Sequence, residues 1–442
     1  VGTAFGIYAT GADVTVTNSG NIEAQGYSAT GIEAQSYGDV SVTNDGNIIG
    51  GSLTSVYDYY SGNTYLYGSL VGAGINASSN GEGAAVTVTN SGDISSQGYY
   101  GATGISATSG GLGGSASVTN SGAIYASQYN KYGYGAYGIV VSADGDGAVT
   151  NSGSIEVYSA GIANGAVALS FAGNASVTNS GDITVESTAL LQYAASGIVA
   201  FAGNGDAMAD NSGSVNAIGA YWATGIDVRG FGDATVENSG SVYANGGKYA
   251  FGVYATAGTG DVSVTNADGG EIGFYSYSGR GWGVFAYANN GDVNVTNDGT
   301  ISGYAYGQSA GIFGLAGQGD VNVTNSGSIG VITGGNVAVG IFARADYGTA
   351  TVDNSGDIYA SVEGVNGFVG VAAYGILARG EYAGVTNSGN IEVLGYAAAI
   401  GIAASSYYGT TVTTTGGTIE VAALGDATGI DAQSALGDVV VD

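Results

Sequence analysis

"VTVTNSGNI" runs from Val14 to Ile22, and its echoes "VTVTNSGDI" at Val86–Ile94 and "VNVTNSGSI" at Val321–Ile329 decide how the rest of the chain is read. Aligned on its asparagine, the phrase returns at Asn18, Asn44, Asn90, Asn120, Asn151, Asn179, Asn211, Asn238, Asn266, Asn297, Asn325, Asn354 and Asn387, with Thr415 in that place in a fourteenth copy. Successive spacings are 26, 46, 30, 31, 28, 32, 27, 28, 31, 28, 29, 33 and 28 residues. Self-similarity at a period near 30 is the mark of a solenoid or an array.

Apolar anchors travel with the phrase. A Val stands two residues before the Asn in nearly every copy (Val16, Val42, Val88), and an Ile or Val four residues after it (Ile22, Ile48, Ile94). The third anchor is the Ile or Val of a "GI" or "GV" pair, as at Ile32, Ile75, Ile105 and Val284. Around these anchors, apolar and polar residues alternate with period two, in short β-branched runs punctuated by Gly, Asn and Asp. Such runs read as strands, and so many Gly and β-branched residues oppose helix. The expected fold is all-β: a single right-handed parallel β-helix of about 14–15 coils with three short strands each, one domain over 1–442. The 46-residue spacing predicts a Tyr-rich loop insertion at about 50–72.

Composition narrows the chemistry. The 442 residues include 85 Gly and no Pro, Cys or His. Without His or Cys, the soft ligands for zinc, iron or copper and the Ser-His and Cys-His catalytic pairs are missing. Only oxygen ligands remain, which suit calcium if any metal. A formal charge of −29 repels nucleic acid and anionic membranes, so neither is an expected partner. No apolar run approaches the ~18 residues of a membrane-spanning helix, and absence of Cys is mild support for an oxidising, extracellular setting.

Several residue sets qualify as sites. The Asn positions read as a structural turn ladder: Asn and the Gly two residues on suit a tight, left-handed bend, and stacked amides can bond along the ladder. Thirteen near-equal copies argue against a ligand site. A second ladder lies five residues before the Asn, at Asp13, Asp39, Asp146 and then Asp206, Asp233, Asp261, Asp292 and Asp320. Its stacked carboxylates need relief from turn N–H groups, for which "GTGD" and "NNGD" are suited, or from calcium; the calcium-binding nonapeptide "GGxGxDxUx" is absent. An aromatic stripe precedes the "GI" pair: Tyr27, Tyr100, Tyr134, Tyr193, Tyr221 with Trp222, Tyr249, Tyr306 and Tyr396. It reads equally as a partner surface or as a seal on the corner of the coil. The insertion adds Tyr57, Tyr59, Tyr60, Tyr65 and Tyr67, and "SQYNKYGYGAY" at Ser127–Tyr137 is a shorter excursion. Insertions in solenoids often mark the binding face.

Arg344 and Arg379 follow consecutive "GI" glycines, with Asp346 and Glu381 two residues on, and read as a cross-coil surface salt bridge rather than as catalysis. Thr15 with Thr17 and Thr87 with Thr89 suggest an ice-binding Thr array, which uneven spacing is expected to interrupt.

The phrase "V-T-N-S-G-x-I" in a Gly-rich, Cys-free chain resembles the repeats of bacterial autotransporter passengers and related large repetitive surface proteins. The resemblance covers essentially the whole chain. It implies a secreted right-handed β-helix at, or shed from, the surface of a Gram-negative bacterium, with surface proteins, glycans or further copies of itself as partners and no membrane insertion by this segment. Members typically carry a signal sequence and a C-terminal barrel. Because the chain opens within a coil and stops at "GDVVVD", where a turn is due, a longer precursor is expected. The functional expectation is a non-enzymatic structural or adhesive rod, alone or stacked into filaments or matrix. A glycan-binding or polysaccharide-degrading β-helix is the alternative, followed by ice binding.

Overall fold

The computed structural model describes residues 2–58, 63–189, 194–363 and 372–442. The chain is all-β, without helix among these residues, and winds into parallel stacked coils that form a β-solenoid of about 14 turns, roughly 29 residues each. Its contacts group into two compact units, Val1–Ala209 with Gly213–Tyr221, and Asp210–Ser212 with Trp222–Asp442.

Most coils have three strands. One in the first unit consists of Val71–Ser79, Ala85–Asn90 and Ile94–Gly98; the next repeats them as Gly101–Ser109, Ser115–Asn120 and Ile124–Gln128. Equivalent strands pair parallel and in register, so each anchor stacks on its own kind: Ile75 on Ile105, Val88 on Val118, Ile94 on Ile124. The second unit does the same with Val284 on Ile312, Val295 on Val323 and Ile301 on Ile329. All of these anchors are buried, so each coil withdraws three branched side chains from water.

The glycine of the "GI" pair is required by packing across the coil. A Cβ on Gly283 would lie 2.6 Å from the Gly311 carbonyl oxygen and closer still to Cγ2 of Ile301, the third-strand anchor of its own coil. Gly74 stands in the same relation to Ile94 and Gly104. With no side chain here, Gly and Ile both turn inward, and the in–out alternation slips by one residue. Phe274 is the aromatic exception in a Val/Ile/Ala interior; it fits because Gly281 and Gly303 surround it.

Unequal repeat lengths leave the register intact. Across the 46-residue spacing, Val86 to Asn90 still pair with Val40 to Asn44. The surplus forms an antiparallel strand pair, Leu53–Asp58 with Asn63–Gly68. Ile272, displaced in sequence by "ADGG", stacks on Val242 and Ile301 all the same. In the last copy, Asn387 pairs with Thr414 and not Thr415, because Val412 takes the interior place beside Val385. The strand pairing overrides the sequence count, and the turn that follows is one residue longer.

Candidate functional site

The Asn side chains lie at strand ends with the amides turned inward, and all thirteen are buried. In the first unit, Nδ2 of Asn18 donates to Oδ1 of Asn44 at 2.7 Å, and the chain of amides continues through Asn90, Asn120 and Asn151 to Asn179. In the second it runs from Asn211 through Asn238, Asn266, Asn297, Asn325 and Asn354 to Asn387, at 2.7–2.9 Å. Nδ2 also donates to the carbonyl two residues on, as Asn44 does to Gly46 at 2.7 Å. Both Nδ2 donors and Oδ1 are thus engaged within the ladder, and the amides are buried.

The expected left-handed bend is not what these turns use. Among the turn glycines two residues after the ladder position by sequence count, only Gly417, in the irregular last copy, has a positive φ. Apart from Gly20, those whose surroundings are described are glycine because successive turns nearly touch: a Cβ on Gly327 would lie 2.7 Å from the Asp298 carbonyl carbon and nearer still to the Gly299 oxygen.

The Asp ladder is relieved by the neighbouring coil rather than by its own turn. Oδ1 of Asp233 accepts from the backbone N–H of Asp261, that of Asp261 from Asp292, and that of Asp292 from Asp320, each at 2.8 Å; Asp320 accepts from Thr349 at 2.7 Å. In the first unit Asp13 serves the N–H of Asp39, and Asp39 that of Ala85, while the N–H of Asp206 goes to Asn174. The side chain at the start of the second strand reaches along the stacking direction, where an N–H is waiting. Among the described residues no three acidic groups converge on a metal position. Melting temperatures in millimolar calcium and in chelator are expected to agree within about 1 °C; a clear rise in calcium would show a bound ion.

The predicted aromatic stripe is dispersed. Tyr27, Tyr100, Tyr134, Tyr306 and Tyr396 are exposed at the corner before the first strand, while Tyr221, Trp222 and Tyr249 are half-buried. Tyr193, Tyr59 and Tyr60 lie outside the described residues. Tyr57, Tyr65 and Tyr67 fall on the two strands of the antiparallel pair, opposite Thr64, Val56 and Thr54.

A continuous array of rings lies elsewhere, on the outer side of the "GI" strands in the second unit. The residue before the glycine gives one column and the residue after the Ile or Val gives another. In the first, Trp222 stacks on Phe251 at 5.2 Å, although it belongs to the neighbouring strand position, and Phe251 on Trp282 at 4.8 Å. In the second, Tyr254, Phe285, Phe313 and Phe342 follow at 5.0, 5.3 and 4.5 Å with ring planes within 13°. Val339, Tyr374, Leu377, Ile400 and Ala403 continue the apolar surface. The same positions in the first unit are mixed: Thr30, Glu33, Asn76 and Ser106 are polar, with Nδ2 of Asn76 donating to Glu33 at 2.9 Å, whereas Phe5, Tyr8, Tyr137, Val140 and Val199 are aromatic or apolar. Reading the chain in phase with "GI", as in "GVFA" and "GIFG", exposes this array; counting from the Asn hides it.

All four arginines of the chain sit on these second-unit strands. Arg229 grips Asp227 through Nε and a terminal nitrogen, both at 2.7 Å, and lies 4.9 Å from the Tyr254 ring centre. Burial pushes the Asp227 carboxyl above the usual carboxylate range, with Arg229 opposing. Burial works to lower the Arg229 pKa, but Asp227 more than offsets it, and the guanidinium stays charged. Arg344 pairs with Asp346, just past the end of its own strand, at 2.7 Å; neither expected cross-coil pair, Arg344 with Glu381 or Arg379 with Asp346, forms among the described residues. The in-register partner of Arg344 is Arg379, so like charges stack and the acids stand beside them.

The Thr column of the second strand is in register after all, Thr17, Thr43, Thr89, Thr119, Thr150 and Thr178 succeeding one another, because the turns absorb the uneven spacing. Its neighbour column mixes Thr15, Ser41, Thr87, Ser117, Ala148 and Ser176. No family model, no curated protein and no solved structure matches the chain.

Proposed function

We propose that the chain is a non-catalytic structural and adhesive protein of the extracellular surface, of the autotransporter-passenger kind, whose ladder-locked coils hold an aromatic, arginine-bearing face for association with surface molecules or further copies. The observation that carries this reading is the outer face of the second unit. Trp, Phe, Tyr and Arg are the residues that dominate protein interfaces. Here Phe251, Trp282, Phe285, Phe313 and Phe342 share one face with every arginine of a chain whose formal charge is −29. Several coils of the first unit carry Thr, Asn and Ser at the same positions, so the fold does not require a ring there, and the column Phe285, Phe313 and Phe342 is only half-buried.

The test is association. Sedimentation and binding to bacterial surfaces are expected to fall at least tenfold in a chain carrying Phe285→Ser, Phe313→Ser and Phe342→Ser, with the β-sheet circular dichroism retained. Equal association by the two proteins would overturn the reading. Electron microscopy of the unaltered chain then separates its two forms: continuous fibres indicate a filament subunit, dispersed particles an adhesin segment.

A further inference from the structure

The ring columns present edges to solvent, because each ring's faces are taken by the coils on either side. A flat ligand such as a sugar, which packs its C–H face on an aromatic face, cannot use them. One place in the second unit differs. Beside the aromatic face, where Ala372–Asn387 and Ala398–Thr414 run on past the first strand as 16- and 17-residue strands, a cleft of about 490 Å³ opens.

A bulge builds it. Gly380 pairs with Ser406 and Tyr382 with Gly409, so between them the single residue Glu381 faces two, Tyr407 and Tyr408. Bulges re-aim side chains, and this one sends two adjacent tyrosines to the surface. Their rings meet edge to face, with centres 4.8 Å apart at 90°, and Tyr408 also packs on Tyr382 at 5.6 Å; both rings remain about half exposed. Tyr347, 67% exposed, lines the same cleft.

Charge supplies the second half. Arg344 and Arg379 stack in register on adjacent coils, and adjacent strands lie ~4.8 Å apart. Arg344 pairs with Asp346, whereas Arg379 makes no ion pair among the described residues. The Arg379 guanidinium therefore keeps its donors for direct hydrogen bonds to an acid group. Asp346 and Glu381 in the cleft wall add acceptors for hydroxyl donors. Exposed tyrosine rings, hydroxyl acceptors and the Arg379 guanidinium are complementary to a sugar that carries an acid group.

We propose that this cleft binds an acidic saccharide, its carboxylate or sulfate on Arg379 and its ring on Tyr407 or Tyr408. The proposal deepens the adhesive reading by naming a ligand class, and it stands apart from the ring columns: the cleft binds whether or not the phenylalanines associate.

The test is calorimetric titration of the full chain with an oligo-uronate, a neutral oligosaccharide of equal length, and inorganic sulfate. The oligo-uronate is expected to bind, at least tenfold more tightly than the neutral sugar or sulfate and less tightly as salt rises. Arg379→Gln is expected to weaken it at least tenfold, with Arg379→Lys recovering part of the loss; Tyr407→Ala with Tyr408→Ala should weaken all saccharide binding at an unchanged melting temperature. Arg379 is exposed, so its substitution leaves the fold intact. No binding of the oligo-uronate, binding indifferent to Arg379→Gln, or sulfate binding as tight as the saccharide each overturns the proposal.

Discussion

Gly327→Ala is expected to destabilise the second unit by about 3 kcal/mol or more, while Gly330→Ala, three residues along the chain, changes stability by no more than about 0.5 kcal/mol. Both are turn-or-strand glycines of one coil, and neither has a positive φ. They differ only in what a methyl group would meet. At Gly327 it would drive into the backbone of the coil beneath, the Gly299 oxygen and the carbonyl of Asp298, 2.7 Å from its carbon. Backbone cannot rotate aside as a side chain can, so the coils must separate and the hydrogen bonds around them lengthen. At Gly330 nothing lies within 4 Å. Thermal and urea melts of both variants decide the matter: equal stabilities would show that the turns are not held by close stacking.

Asn297→Ala is expected to cost about 2–4 kcal/mol, against less than about 0.5 kcal/mol for Thr296→Ala on the strand exterior. Asn297 donates to Asn325 at 2.7 Å and to Gly299 at 3.2 Å, and accepts from Asn266 at 2.8 Å. Truncation removes all three bonds and leaves Oδ1 of the fully buried Asn325 without the donor that satisfied it. An unpaired buried acceptor costs more than the bond itself contributed, because water cannot reach it. Local hydrogen exchange should rise first at Ser326 and Gly327, whose N–H groups bond to the Asn297 carbonyl. Unchanged exchange and melting in Asn297→Ala would mean that strand pairing alone holds the turns.

The two ladders show how far residue types alone reach. That Asn18 to Asn387 stack and bond amide to carbonyl follows from their spacing and from the inward Val two residues earlier. That the Asp ladder bonds across coils does not follow, because "GTGD" is equally compatible with a bond inside the turn. Arg344 pairing with Asp346 instead of Glu381 is a choice of the same kind: both acids are within reach by sequence, and side-chain geometry selects between them.

The sequence by itself determined that the chain is an all-β solenoid, which residues point inward, and that equivalent residues near 29 apart lie on top of one another. It could do so because strand pairing in parallel register turns a one-dimensional period into a stack, and burial enforces the phase. Only the tertiary structure decided what the outside of the stack presents. The "GI" glycine lets two successive residues face inward, since Ile301 and its equivalents occupy the space a side chain would need, and this slips the alternation. Phe285, Phe313 and Phe342, each following its buried Ile or Val, thereby turn outward and stack ring on ring, and the bulge at Glu381 opens a cleft that the repeat does not contain.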